Sequence, residues 1–155
     1  MSGIGISEKD QKFSAALLNY ILADEFVLFV KTLNYHWNLT GPEFHDYHKF
    51  FDEQYHDLLE VVDSVAERVR IVGGIALGSM KEFLASAQLE EESSKIPKPK
   101  EMVKELLKCH EGVIIEIREG VNKTAENNRD MGTNNFLTDL LEKHEKIAWM
   151  LRSLL

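Results

Sequence analysis

A chain of 155 residues, 44% hydrophobic and 28% charged, is long enough to bury its own core and has the balance of a soluble globular protein. Its formal net charge of −8 opposes nucleic-acid binding by the bulk surface, because phosphate contacts need clustered Lys and Arg. The single cysteine, Cys109, excludes a disulfide framework within the chain; it falls on a helix face, buried or half-buried, and carries no assigned role. The opening MSGIGISEKDQK lacks the basic-then-apolar pattern of a signal peptide. No apolar run approaches the roughly 18 residues of a membrane span. These features predict one domain over residues 1–155, a short tail at 1–7, no membrane association and a cytoplasmic location.

The first predicted helix runs from about Ser7 to His36. Phe13, Leu17, Tyr20, Ile21, Val27, Leu28 and Leu33 recur on one helical face, and Ser7 with Asp10 three residues on suits an N-cap. Thr40-Gly41-Pro42 stops this helix and starts the second, with Pro42 suited to a first turn. The second runs to about Val72, where Gly73-Gly74 ends it. Residues 75–100 read as a long connection with a short helix in SMKEFLASAQ. The third long helix begins near Pro99 and fades in NKTAENNRDMG. The fourth begins near Thr133, a good N-cap, and runs to the end.

Two tight links and one long one make an all-α, ferritin-like four-helix bundle, with the crossover and its short helix between the second and third long helices. Such bundles often hold two metals inside one chain, using a Glu from each of two helices and a Glu-x-x-His pair from each of the others. Only Glu53-x-x-His56 matches. Leu107 precedes His110 and Leu141 precedes His144, so the intrachain dinuclear pattern is rejected and both histidines read as core residues.

The stretch HDYHKFFDEQYH, residues 45–56, sharpens the question of a metal. With His48 at 0°, Asp52 lies at about 40°, Asp63 at about 60° and Glu67 at about 100° around the helix. His48/Asp52 and Asp63/Glu67 are i, i+4 pairs that can converge on an ion. Yet His48 and Asp63 are separated by about 22 Å of helix rise, so one chain cannot bring both pairs to one ion. Two chains can. The pairs 48/67 and 52/63 share one midpoint, between Asp57 and Leu58. A two-fold axis there would set His48 opposite the partner's Glu67 and Asp52 opposite the partner's Asp63, making two equivalent sites. Imidazole with carboxylate suits iron, zinc or manganese. His36 closes the first helix near His48, with Trp37 beside it as a redox-active aromatic. The competing reading is a charged interface of His–Asp and Asp–Arg pairs.

NYHWNLTGPEFHDYHKFFDEQYHDLLEVVDSVAERVRIVGG resembles the signature of the Dps family, the mini-ferritins or starvation-induced DNA-protecting proteins: His-Trp, His-x-x-x-Asp, Asp-x-x-x-Glu-Arg, Gly-Gly. The likeness extends through KEFLASAQLEE, KPKEMVKEL and Trp149. It implies a hollow dodecamer built from two-fold dimers, in the bacterial cytoplasm or nucleoid. It implies a ferroxidase centre at each two-fold interface, with His36, His48 and Asp52 from one subunit and Asp63 and Glu67 from the other. There Fe(II) would be oxidised, preferably by hydrogen peroxide, and stored as Fe(III) mineral; other divalent metals could enter the same site. In such a centre Trp37 would have a redox role, supplying an electron during peroxide reduction.

The alternative is a non-catalytic nucleoid protein of the same fold. The tail speaks against it: Lys9 and Lys12 are cancelled by Glu8 and Asp10, which predicts weak or no direct DNA binding. Iron-entry pores in this family are often acidic near the start of the last helix. This chain offers Glu126 and Asp130 with Arg129 between them, which assigns no lining. His45 pairs by symmetry with Arg70 and reads as surface, and His56 faces Leu59 and reads as interface packing. Tyr47, Phe51 and Tyr55 read as interface or core; Asp46, Glu53 and Asp57 as solvated.

Overall fold

The computed structural model describes residues 3–91, 95–127 and 130–155. The first two residues of the expected tail, Arg129 and the side chain of Glu126 fall outside that description. Four long helices and one short one follow in order: α1 (Glu8–Asn38), α2 (Phe44–Ile71), α3 (Met80–Ser86), α4 (Pro99–Asn127) and α5 (Met131–Arg152). α1 packs along α2, α4 along α5 and α1 against α4, while α3 rests on α1. This is the four-helix bundle with a helix-bearing crossover that the patterning predicts.

The core follows from the helical period. Leu18, Ile21, Leu22 and Leu28 of α1 meet Phe51, Leu58, Val65 and Val69 of α2, Val103, Leu106, Val113 and Ile117 of α4, and Leu137, Leu140 and Leu151 of α5, all buried. Each fully buried aliphatic or aromatic side chain contributes roughly 1.5–3 kcal/mol against exposure. By length and composition α1 could cross a membrane, contrary to the expectation from the sequence; over half of the relevant window is instead buried inside the bundle.

Helix ends follow local chemistry. Ser7 caps α1 by accepting from the Asp10 amide, as expected. Ser79 and Glu82 form a reciprocal capping box on α3. Two boundaries differ from the sequence reading. Pro42 lies in the turn before α2 rather than in its first turn, because Gly41 at φ 128° bends the chain and the Phe44 amide donates to the Gly41 carbonyl at 3.2 Å. α4 ends at Asn127, inside the NKTAENNRDMG stretch as expected, and Asn134 of α5 holds its last turns by donating to the Val121 carbonyl and to Thr124 Oγ1. Thr133 is not the N-cap of α5. Asp130 is, accepting from the Thr133 amide three residues on.

Gly73 and Gly74 end α2 for separate reasons. Gly73 takes φ 88°, the left-handed region where a Cβ is costly. At Gly74 a Cβ would stand 2.5 Å from Ala15 Cβ, so its absence lets α1 and the end of α2 close on each other.

Candidate metal centre

The tight α1–α2 turn brings the C-terminus of α1 beside the first turns of α2. His36 and His48 meet there as parallel rings, centroids 3.9 Å apart and planes 17° apart. They are tied reciprocally. His36 Nδ1 lies 3.0 Å from the His48 carbonyl, and His48 Nδ1 lies 3.0 Å from the His36 carbonyl. A carbonyl oxygen only accepts, so each Nδ1 carries the proton. Each neutral ring is therefore left with its lone pair on Nε2, the tautomer a metal ligand needs. Phe44 stacks on His48 at 4.7 Å and Tyr55 closes against His36 at 5.1 Å.

Asp52 approaches the pair from α2, its Oδ1 3.7 Å from His36 Nε2. Two residues that the sequence reading set aside as packing touch it. His56, one turn on, has Nδ1 2.8 Å from the Asp52 carbonyl and 3.7 Å from Asp52 Oδ2. Tyr55 stands near enough that burial first, and then the Asp52 carboxylate, push its phenol above the ordinary value. The signal was available as the i+3 and i+4 spacing from Asp52, but the aromatic run around it reads equally well as packing.

Asp63 and Glu67 lie farther along α2 and are exposed. The structure brings His36, His48 and Asp52 together and leaves the other two on the same open stripe. Among the described residues of one chain, no three His, Cys, Asp or Glu side chains gather into a group able to hold a metal. The α2 surface also shows Phe44, Leu59 and Ile71 at 42%, 48% and 54% exposure. Trp37 is 69% exposed, and Tyr55, not Trp37, is the aromatic ring packed on His36. His45 is exposed. Cys109 is buried, and burial raises its thiol pKa.

The far end of the stripe is held by Arg68, next to Glu67. Its Nη2 lies 3.0 Å from Asp130 Oδ1, and its Nε donates to Thr133 Oγ1 at 3.1 Å. Asp130, one of the two acids near the start of the last long helix, is 1% exposed and serves as the cap of α5.

His110 and His144 are core residues, as expected, and each is 1% exposed. Their Nδ1 atoms are 2.9 Å apart. Burial, and then the neighbouring His144, hold the His110 pKa well below the usual value. The sequence reading did not foresee Glu25 of α1, fully buried, with Oε1 2.7 Å from His144 Nε2.

A model of the ferritin-like domain matches residues 15–155. The chain is 34% identical over 139 residues to DNA protection during starvation protein 2 of Bacillus anthracis, covering 90% of this chain and 94% of that one. The chain belongs to the Dps family of ferritin-like proteins. A low temperature-induced protein of Nostoc sp., itself uncharacterized, is 43% identical over 150 residues, covering 97% of this Dps chain and 84% of the relative. Among solved structures, the Dps protein of Vibrio cholerae, described as a member of a broad superfamily of ferritin-like diiron-carboxylate proteins, superposes with a TM-score of 0.94 at 28% identity, over 99% of this chain and 96% of that one.

Proposed function

We propose that this Dps protein oxidises Fe(II) and stores the Fe(III) product in a hollow shell of identical subunits. The observation that carries the reading is the reciprocal His36–His48 clamp, which fixes two imidazoles with free Nε2 lone pairs beside the Asp52 carboxylate. The missing ligands are Asp63 and Glu67 of a two-fold partner, whose α2 packs antiparallel about the point between Asp57 and Leu58. The exposed Leu59 beside that point, and Phe44 toward one end, give the pairing face apolar area to bury. The reading is a dodecamer built from such dimers.

Iron is the substrate. Carboxylates from both chains, as hard ligands, favour the ferric product, while neutral imidazoles keep the ferrous ion bound without adding charge. Few protein ligands leave positions for oxidant and let product depart for the cavity. Two Fe(II) each give one electron to one hydrogen peroxide; with two waters the products are two FeO(OH) and four protons. Consuming Fe(II) and peroxide together lowers hydroxyl-radical formation, which protects DNA without touching it.

His36→Gly with His48→Gly, assembled as shells and given Fe(II) anaerobically and then peroxide, should lose the fast rise in ferric absorbance. An unchanged fast phase in that variant would refute the site. Trp37 is proposed as an electron donor in peroxide reduction. Trp37→Phe should then raise the radical yield at unchanged iron binding, and identical yields would remove that role.

A further inference from the structure

The crossover is fastened to the bundle by two carboxyl groups that the metal centre does not use. The stacked rings of Phe26 and Phe83, centroids 4.3 Å apart, seat α3 on α1 and aim the chain that leaves it along the bundle. There Asp24 of α1, 2% exposed, accepts from two successive backbone amides, Gln88 at 2.6 Å and Leu89 at 2.9 Å. The Gln88 side chain reaches on to α4 and donates to Glu116 Oε1 at 3.3 Å. One crossover residue therefore holds a carboxyl group on each of two helices. Leu89 packs over Gly112 of α4, where an added Cβ would stand 3.6 Å from its Cδ2.

Two carboxyl groups on one side chain resist being ionised together. Glu116 Oε2 is buried and receives no hydrogen bond. An oxygen so placed is satisfied by a proton of its own, given to Asp24. Burial first, then that hydrogen bond and the charges of Asp24 and Glu25, raise the Glu116 pKa to about 8, against the Gln88 amide. Of the basic groups on the packed helices, His144 of α5 lies on Glu25 at 2.7 Å and Lys31 of α1 acts on Cys109. We propose that Asp24, Glu116 and Gln88 form a proton-held latch, which keeps the crossover strap of residues 87–91 closed on α1 and α4 and releases it when the shared proton is lost.

Once ionised, Glu116 is repelled by Asp24 and turns to water, and the Gln88 side chain loses its hold on α4. The folded pKa lies above that of a free carboxyl group. Closure is therefore complete below about 4.5, weakens as pH rises, and has lost the contribution of the proton by about 8. The strap forms part of the lining of a cavity of about 600 Å³, shared with Lys31 of α1 and Cys109 of α4. Opening uncovers that cavity and its buried thiol. The latch lies within one chain and does not depend on the two-fold centre or on iron.

Hydrogen–deuterium exchange of the assembled, metal-free protein, read by mass spectrometry, follows the strap directly. Protection factors corrected for intrinsic exchange are compared in peptides over residues 87–91 and in peptides of α4 around Val113. Strap protection should fall by roughly tenfold or more between pH 6 and pH 8. Strap exchange should also stay insensitive to low urea while exchange around Val113 accelerates, the mark of local opening. Glu116→Gln gives Asp24 a permanent donor. Asp24→Asn removes the other charge and keeps an acceptor for both amides. Each should make strap protection independent of pH, so that failure of one to fold leaves the other as the test. At pH 8, Cys109, the single thiol, should react with a maleimide more slowly in Glu116→Gln than in the parent. A flat parent profile, strap exchange that tracks α4 in urea, pH dependence retained in a folded variant, or equal thiol rates would each overturn the inference.

Discussion

The half of the α2 stripe carrying Asp63 and Glu67 is aimed by the contact between Arg68 and Asp130, and removing it has a calculable cost. Asp130 side-chain exposure is 1% and that of Arg68 is 18%, so the pair is shielded well beyond a surface ion pair. Asp130 also caps α5 through the Thr133 amide at 2.9 Å. Asp130→Ala removes a cap worth roughly 0.5–2 kcal/mol. It also strands a guanidinium, and a fully buried stranded partner costs about 3–5 kcal/mol. Discounting the second figure for the water Arg68 keeps, the sum is about 3–4 kcal/mol. Asp130→Asn preserves shape and cap but not charge, and should cost about 1–2 kcal/mol. Burial alone would raise the Asp130 pKa; hydrogen bonds from the Thr133 hydroxyl and amide and from Ser14, with the Arg68 charge, hold it below the ordinary value. A depressed folded pKa means the stabilisation is complete at neutral pH and is lost as pH falls from about 4 through the folded value. Urea unfolding followed by circular dichroism, at fixed subunit concentration because assembly contributes, measures both effects. Asp130→Asn within 0.5 kcal/mol of the parent at pH 7, or a deficit that does not shrink on acidification, would refute this account of the α2–α5 anchor.

Gly74→Ala should destabilise by about 1–3 kcal/mol, since the new Cβ meets the rigid Ala15 Cβ at 2.5 Å; an unchanged thermal midpoint would show that α1 yields freely. Glu116 has its pKa raised to about 8, first by burial and then by hydrogen bonding to and charge from Asp24. Its folded pKa lies above the unfolded one, so the parent loses stability as pH rises from about 4.5 toward 8, while Glu116→Gln does not. The gap in unfolding free energy should widen in favour of the variant between pH 5 and 9 by on the order of 2 kcal/mol, allowing for screening of this half-buried group; parallel pH curves would remove the shift. Assembled shells should leave duplex DNA unshifted in a gel at low salt, because the tail charges cancel; tight binding would mean that basic residues elsewhere cluster on the shell.

How much of this could be read from residues alone depended on sequence distance. Helix faces were legible because a 3.6-residue period is local, and the end of α2 was legible because Gly-Gly permits few backbone alternatives. His36, His48 and Asp52 could be named together because a five-residue turn forces the end of α1 beside the start of α2. The orientation of their rings could not, since it depends on two backbone carbonyls that become acceptors only when the helices meet. The α5 cap was misplaced for a related reason. Thr133 and Asp130 are both good capping types three residues apart, and Arg68, which holds Asp130 in place, is 62 residues away. The buried Glu25–His144 contact was least legible of all. Glu25 follows Asp24 and His144 stands among Lys143, Glu145 and Lys146, so neither announces a buried partner, and only packing of α1 against the rest of the bundle makes them neighbours. Local patterns thus locate residues that chemistry requires on one helix or across one turn. Polar groups that meet through the core leave no mark except as unexplained exceptions to the apolar face, so such exceptions on two helices of one bundle should be tested as a pair before either is assigned to packing.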